Sequence, residues 1–146
     1  MKTSNNFVHN LTIHLIFVCK YRKKLLIKYG NEIKNLFLEC ANQNDTFDIQ
    51  EIEVDQDHVH MMIDFYPTEA ITNIVRKLKQ YSVFHIWENH ESELQHQFWK
   101  RKMFWSKSYF VCTIGDASRE IIKKYIESQG QKPRNKHFDS YIRLKP

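Results

Sequence analysis

The spacing of apolar residues along this chain switches between a period of two and a period near 3.6, and the order of those switches restricts the fold more than any other feature. Residues 7–20 are dense in apolar and β-branched side chains, among them Leu11, Ile13, Leu15, Ile16, Phe17 and Val18, and read as a strand. After a basic loop, Gly30 and Asn31 are expected to open a helix, because Ile33, Leu36, Phe37, Cys40 and Ala41 fall on one helical stripe. Phe47, Ile49, Ile52 and Val54 mark a second strand over 46–54, with an irregularity in its alternation. Asp55-Gln56-Asp57 reads as a turn, and Val59, Met61, Ile63 and Phe65 share one face of a third strand over 58–66. Pro67 stops that strand, Thr68 is the expected N-cap of a second helix, and Ile71, Ile74, Val75 and Leu78 carry it past Tyr81 towards Trp87. Residues 88–102 are polar and show no clear period. Residues 104–114 give a fourth strand. Asp116 is expected to N-cap a last helix with Glu120 in its first turn, and Gly130 to end it at the C′ position.

The resulting order, β-α-β-β-α-β plus a C-terminal helix, predicts an α+β fold of the ferredoxin-like (split βαβ) type, an antiparallel sheet with two helices on one face. The other face is then open to the last helix, a ligand or a partner. A length of 146 residues fits one domain with a real core, taken here as residues 1–130, with 131–146 as a basic C-terminal tail of the same domain.

Several classes of function are set aside by composition. Gly30, Gly115 and Gly130 are the only glycines, which excludes the common Gly-rich phosphate loops, so no nucleotide cofactor is expected. No apolar run approaches the roughly 18 residues of a membrane span. Met1-Lys2-Thr3-Ser4-Asn5-Asn6 lacks the apolar core of a signal peptide, and Cys19, Cys40 and Cys112 are odd in number without CxxC spacing. The expectation is a cytoplasmic protein with free thiols.

The formal net charge is +5, and its surplus is clustered. Lys20, Arg22, Lys23 and Lys24 surround Tyr21; Lys100-Arg101-Lys102 lies between Trp99 and Phe104-Trp105; and Lys132, Arg134, Lys136, Arg143 and Lys145 crowd the tail against Asp139. Cations interleaved with aromatics suit a phosphate backbone and unstacked bases, and equally describe a solvated basic surface.

Two short patterns carry chemistry. In His58-Val59-His60 the imidazoles point to one face of a strand while Val59 points to the core, so the pair can share one divalent metal given a third ligand. On the last helix, Tyr125 and Gln129 are four residues apart and share a face, offering a phenol and an amide oxygen. Taken singly, each pattern also fits a bland reading, surface histidines or a tyrosine packed beside Ile121, Ile122 and Ile126. Together they supply a metal site open to phosphate oxygens and a tyrosine nucleophile able to store a bond as phosphotyrosine.

With these residues in place, the chain resembles the HUH single-tyrosine transposases, the transposase A proteins of small insertion sequences that move as single-stranded DNA. The resemblance spans roughly residues 7–130. It rests on the first strand leading into Lys20-Tyr21-Arg22-Lys23, on Asp57-His58-Val59-His60-Met61-Met62, on Phe104-Trp105-Ser106-Lys107-Ser108-Tyr109-Phe110 before Gly115-Asp116, and on Tyr125-Ile126-Glu127-Ser128-Gln129. It implies Tyr125 as nucleophile and His58, His60 and Gln129 as ligands of Mg²⁺ or Mn²⁺. It further implies cleavage to a 5′-phosphotyrosine and a free 3′-OH, recognition of subterminal DNA hairpins, and a homodimer joined through its sheets. In that dimer the tyrosine helix can complete the partner's site, with the Gly115 region as hinge. Lys20, Arg22, Lys23, Arg76, Lys79, Trp105 and Lys107 are the residues expected to grip DNA, Trp105 reading equally as a core aromatic. Around Gln80-Tyr81-Ser82-Val83-Phe84 the chain departs from the family's smaller residues, which bears on local DNA contacts.

The alternatives are a replication or conjugation nicking enzyme, which is usually larger, a domesticated repeat-associated relative with the same catalytic residues, and a non-catalytic ferredoxin-like nucleic-acid-binding module. The last would need stacking aromatics where this chain has its His-Val-His strand. A histidine-triad hydrolase would need a third histidine where Met62 stands.

Overall fold

The computed structural model describes residues 11–99, 101–115 and 119–129. Its elements follow the expected order: β1 (Leu11–Cys19), a single 3-10 turn (Lys20–Arg22), α1 (Leu26–Asn42), β2 (Phe47–Val54), β3 (His58–Phe65), α2 (Ile71–Phe98), β4 (Trp105–Ile114) and α3 (Arg119–Gln129). The four strands form one sheet in the order β2-β3-β1-β4, with every neighbouring pair antiparallel. This is the split βαβ arrangement. β3 inserts between β1 and β2, so the two strands best supplied with apolar residues become the buried centre of the sheet.

Strand alternation divides the sheet into two chemically different faces. Ile13, Leu15, Phe17 and Cys19 of β1 and Val59, Met61, Ile63 and Phe65 of β3 join one core with Ile33, Phe37 and Cys40 of α1 and Ile74, Leu78 and Ile86 of α2. The intervening residues Thr12, His14 and Ile16 of β1 and His58, His60, Met62 and Asp64 of β3 point the other way and are also buried. On that second face α3 lies against β2 and β3. The apolar cluster there is small: Ile16 and Phe110, with Val18, Cys112 and Tyr125 packed on it. Most of the other buried side chains there are polar, unlike those on the face covered by α1 and α2.

Several boundaries differ from the sequence reading, each for a physical reason. Helix α1 begins at Leu26, so Gly30 lies inside it rather than opening it. A Cβ on Gly30 would stand 3.0 Å from Val54 Cγ2, so the glycine lets α1 sit close to β2. The irregularity in 46–54 is a register shift of β2 against β3 between Ile49 and Glu51, a bulge that returns Ile52 to the core. The N-cap of α2 is Ala70 rather than Thr68 and makes no side-chain cap bond. Glu69 instead accepts from the Ala70 N–H at 3.0 Å and from Asn73 Nδ2 at 3.3 Å.

The polar stretch after Trp87 continues α2 to Phe98 through a kink at His90 (φ −137°, ψ 33°). Leu94 and Phe98 bury there, and His90 pairs with Glu32 at 2.6 Å, tying the far half of α2 to α1. Strand β4 starts at Trp105, one residue later than expected. Cys19, Cys40 and Cys112 are free thiols. Asp116, Gly130 and the tail over 131–146 lie outside the described residues. No described helix is long and apolar enough to cross a membrane.

Candidate active site

The site is built where β1, β3 and α3 meet on the second sheet face. His58 and His60 are both fully buried on β3, their rings 4.8 Å apart centroid to centroid. The turn before β3 places Asp57 beside them. Asp57 Oδ1 lies 2.8 Å from His58 Nδ1, and Asp57 Oδ2 accepts from Arg22 Nε at 3.1 Å. An ionised carboxylate can only accept, so His58 donates to it from Nδ1. Burial alone would push the Asp57 carboxyl up. The hydrogen bond from His58, the charge of His58 and the guanidinium of Arg22 outweigh it and hold the group below its ordinary value. His58 Nε2 is buried and lies 3.7 Å from Asp55 Oδ2, a buried carboxylate oxygen with no hydrogen-bond donor.

His60 is braced from the neighbouring strand. His14 of β1 pairs across to Met62, and Ile16 to His60, so His14 and His60 are diagonal neighbours on one face. Their rings stack at 5.5 Å, with His14 Nε2 3.2 Å from His60 Nδ1. Burial, then the proximity of His58 and His14, holds His60 well below the usual imidazole value, and burial brings His14 down to about 4. Both rings are neutral at physiological pH.

Tyr125 on α3 completes the group. Its ring meets His60 edge-on at 6.4 Å and His14 edge-on at 6.5 Å. One turn on, Gln129 is also buried, 8% exposed. The rest of the seat of α3 is narrow: Ile126 is fully buried, while Ile121 is 69% exposed. Among the described residues no three His, Cys, Asp or Glu side chains form a metal-holding group. A third donor to the histidine pair therefore has to come from another residue type, such as the Gln129 amide, or from a substrate.

A single family model accounts for nearly all of this chain: that of the IS200-like transposases matches residues 7–129, from the start of the β1 region to Gln129. The chain belongs to the IS200-like transposase family. It is similar to the ISDra2 transposase TnpA of Deinococcus radiodurans, 32% identical over 133 residues that cover 90% of this chain and 93% of that protein. It is also similar to the transposase for insertion sequence element IS200 of Salmonella typhimurium, 26% identical over 120 residues, 82% of this chain and 77% of that one. Among solved structures, a candidate transposase from Deinococcus radiodurans R1 superposes with a TM-score of 0.67 at 29% identity, over 90% of this chain and all of that one. A REP-associated tyrosine transposase bound to a REP hairpin shares the fold, with a TM-score of 0.58 at 14% identity over 81% of this chain and 65% of that one. This IS200-like transposase is thus an enzyme of DNA cleavage and transfer.

The basic residues expected on DNA occupy varied settings in the transposase. Arg76 and Lys107 are exposed. Lys20 lies over the Tyr21 ring at 5.3 Å, and Lys23 donates to Gln97 at 3.1 Å. Arg22 pairs through Nε with Asp57, joining the basic turn to the histidine pair, while its side chain stays 31% exposed. Lys79 is turned inward. It donates to the carbonyls of Ser106 at 2.8 Å and Lys107 at 3.2 Å, and lies over Phe17 and Tyr109. Trp105 is in the core, 6% exposed, stacked on Phe37 and donating from Nε1 to Ser82 Oγ at 2.9 Å. Of the two readings the sequence allows for Trp105, core aromatic and DNA contact, this burial matches the core one. Sequence reasoning missed His14 as a member of the site. Only the β1–β3 register brings it there, although an unexplained polar residue in the middle of an apolar strand was a signal.

Proposed function

We propose that this chain cleaves and rejoins single-stranded DNA at insertion-sequence ends through a 5′-phosphotyrosine on Tyr125, with Mg²⁺ or Mn²⁺ held by His58, His60 and Gln129. The observation that carries the reading is the Tyr125 ring seated edge-on against His60, beside a histidine pair whose outer nitrogens are tied down. A cation fits the donor set. Burial keeps His60 neutral, Asp57 orients His58, Gln129 is buried on the adjacent turn, and the Asp55 carboxylate oxygen lacks a donor beside His58. When bound, a divalent ion supplies charge stabilisation at the scissile phosphate and the departing 3′ oxygen.

The residues of the chain then divide the work. The Tyr125 oxygen attacks phosphorus, the O–P bond forms as the bond from phosphorus to the 3′ oxygen breaks, the phenol proton passes to solvent, and the 3′ oxygen takes one up. Rejoining reverses this: a different 3′-OH attacks and Tyr125 departs. Recognition of subterminal hairpins is supported by a structural neighbour described as bound to a REP hairpin. The basic turn at Lys20, Arg22 and Lys23, the exposed Arg76 and Lys107, and the tail over 131–146 are the cations proposed for DNA. A cytoplasmic homodimer with composite sites would require α3 to leave the histidines of its own chain. Its narrow apolar seat is compatible with that exchange, as is the open space around Gly115.

The test is incubation of single-stranded DNA from the element ends with the protein and Mg²⁺. An SDS-resistant adduct on Tyr125, specific to one strand and lost in EDTA, is expected. Tyr125→Phe should abolish it while keeping hairpin binding. An adduct on another residue, or one that survives EDTA, would overturn the assignment.

A further inference from the structure

His14 is a fully inward-facing polar residue in the central strand of the sheet, and the chemistry above gives it no role. It is 6% exposed, flanked across the sheet by Met62 of β3 and Cys112 of β4, and meets both His60 and Tyr125. A histidine buried in such a place is costly unless its ring nitrogens are used. One of them is used: Nε2 faces His60 Nδ1 at 3.2 Å.

We infer that His14 is a positioning residue which accepts the Nδ1 proton of His60, so that the His60 Nε2 lone pair is directed into the site. This rests on the proposed role of His60 as a metal-holding residue. The argument runs from lone pairs. A ring nitrogen that binds a cation must be unprotonated, and in metal sites the other nitrogen commonly donates to a fixed acceptor that sets tautomer and ring angle. For His58 that acceptor is Asp57, at 2.8 Å. For His60 the atom in the equivalent place is His14 Nε2, delivered from a different strand. The two histidines would therefore be fixed by two unlike acceptors, one a carboxylate in the preceding turn and one a cross-strand imidazole. Because the same His14 ring also meets Tyr125, it sets the nucleophile's seat and the ligand's orientation from one fixed point on β1.

The experiment uses the full chain, ¹⁵N-labelled and metal-free, with long-range ¹H–¹⁵N correlation on the imidazoles. The His60 resonances are assigned by their loss in His60→Ala. The expected result is a His60 ring protonated on Nδ1 in the native chain. In His14→Phe the Nδ1 tautomer should lose its dominance, and Mn²⁺ affinity, measured by calorimetry, should fall on the order of 10- to 100-fold. His14→Gln, whose side-chain oxygen reaches towards the Nε2 position, should restore most of it. A native His60 protonated on Nε2 would overturn the proposal, and this measurement stands even if His14→Phe fails to fold. Unchanged Mn²⁺ affinity in a folded His14→Phe would also overturn it. His60→Ala separates the two layers. If that variant binds Mn²⁺ as the native chain does, the metal role of His60 itself fails. If it loses Mn²⁺ while His14→Phe does not, only the role of His14 fails.

Discussion

Replacing Asp57 by Asn measures how firmly one buried carboxylate holds the site together. The residue is 2% exposed and accepts two charge-assisted bonds, from His58 at 2.8 Å and Arg22 at 3.1 Å. Hydrogen bonds to charged groups contribute about 1.5–3 kcal/mol each when buried. The Arg22 side is discounted because that side chain is 31% exposed, which leaves it nearer ~0.5–1 kcal/mol. Asn can still offer one oxygen to His58 but then turns an NH₂ towards the guanidinium, so a net loss of about 2 kcal/mol is expected at pH 7.

For a domain of this length that loss corresponds to a fall in Tm of roughly 4–8 °C. Because the folded carboxyl titrates below its ordinary value of 3.8, its stabilisation is present above that value and disappears as pH falls through the lower, folded one. The gap between native chain and variant should therefore be full at pH 7 and close on the acid side of about 4. Thermal unfolding at a series of pH values, followed by circular dichroism, reads this directly. With the His58 acceptor weakened, Mn²⁺ affinity at pH 7 should also drop by roughly 10-fold or more. A variant that melts within a degree or two of the native chain at pH 7, with unchanged Mn²⁺ affinity, would refute the reasoning.

Two further outcomes test the packing. Trp105→Phe removes the bond to Ser82 and part of a core ring. It should cost about 2–3 kcal/mol of stability in denaturant melts, yet leave DNA affinity and its salt dependence unchanged; a steeper loss in affinity than in stability would return Trp105 to the DNA surface. Gly30→Ala should lower stability by about 1 kcal/mol although alanine is the better helix former, because its Cβ would press on Val54 Cγ2. Adding Val54→Ala should recover part of that loss, and a purely additive double mutant would show that the contact is not the cause.

What could be read from the sequence follows from how local each signal is. The alternation in β3 gave both its core face and the shared direction of His58 and His60, because a strand's period needs no partner to be seen. The irregular alternation over 46–54 was visible for the same reason, but only the pairing with β3 places it as a bulge between Ile49 and Glu51. The far half of α2 was illegible because its outer surface is solvated and only Leu94 and Phe98 reach the core beyond the kink. Gly30 misled because a glycine that permits close approach looks the same, in one dimension, as one that ends an element. His14 and Trp105 share a cause. Their environments are set by residues about 46 and 23 positions away, His60 and Ser82, and no local period encodes that. Likewise, basic residues near one another in sequence diverged, with Lys79 folded onto strand carbonyls and Arg76 left in solvent.

The two-faced sheet makes insertions and substitutions unequal hazards. β1 and β3 are locked to each other over eight consecutive pairs from Leu11–Phe65 to Val18–His58, without a slip. Exchanging one apolar side chain for another on the helix side alters only packing. Gaining or losing a single residue within β3 would send imidazoles into the oily layer and bring Val59 or Met61 up beneath Tyr125. The peripheral strand β2 has absorbed an extra residue as a bulge, far from that penalty. Changes in length should therefore accumulate at the sheet's rim and in its connections, while the central pair acts as a ruler whose graduations fix the chemistry.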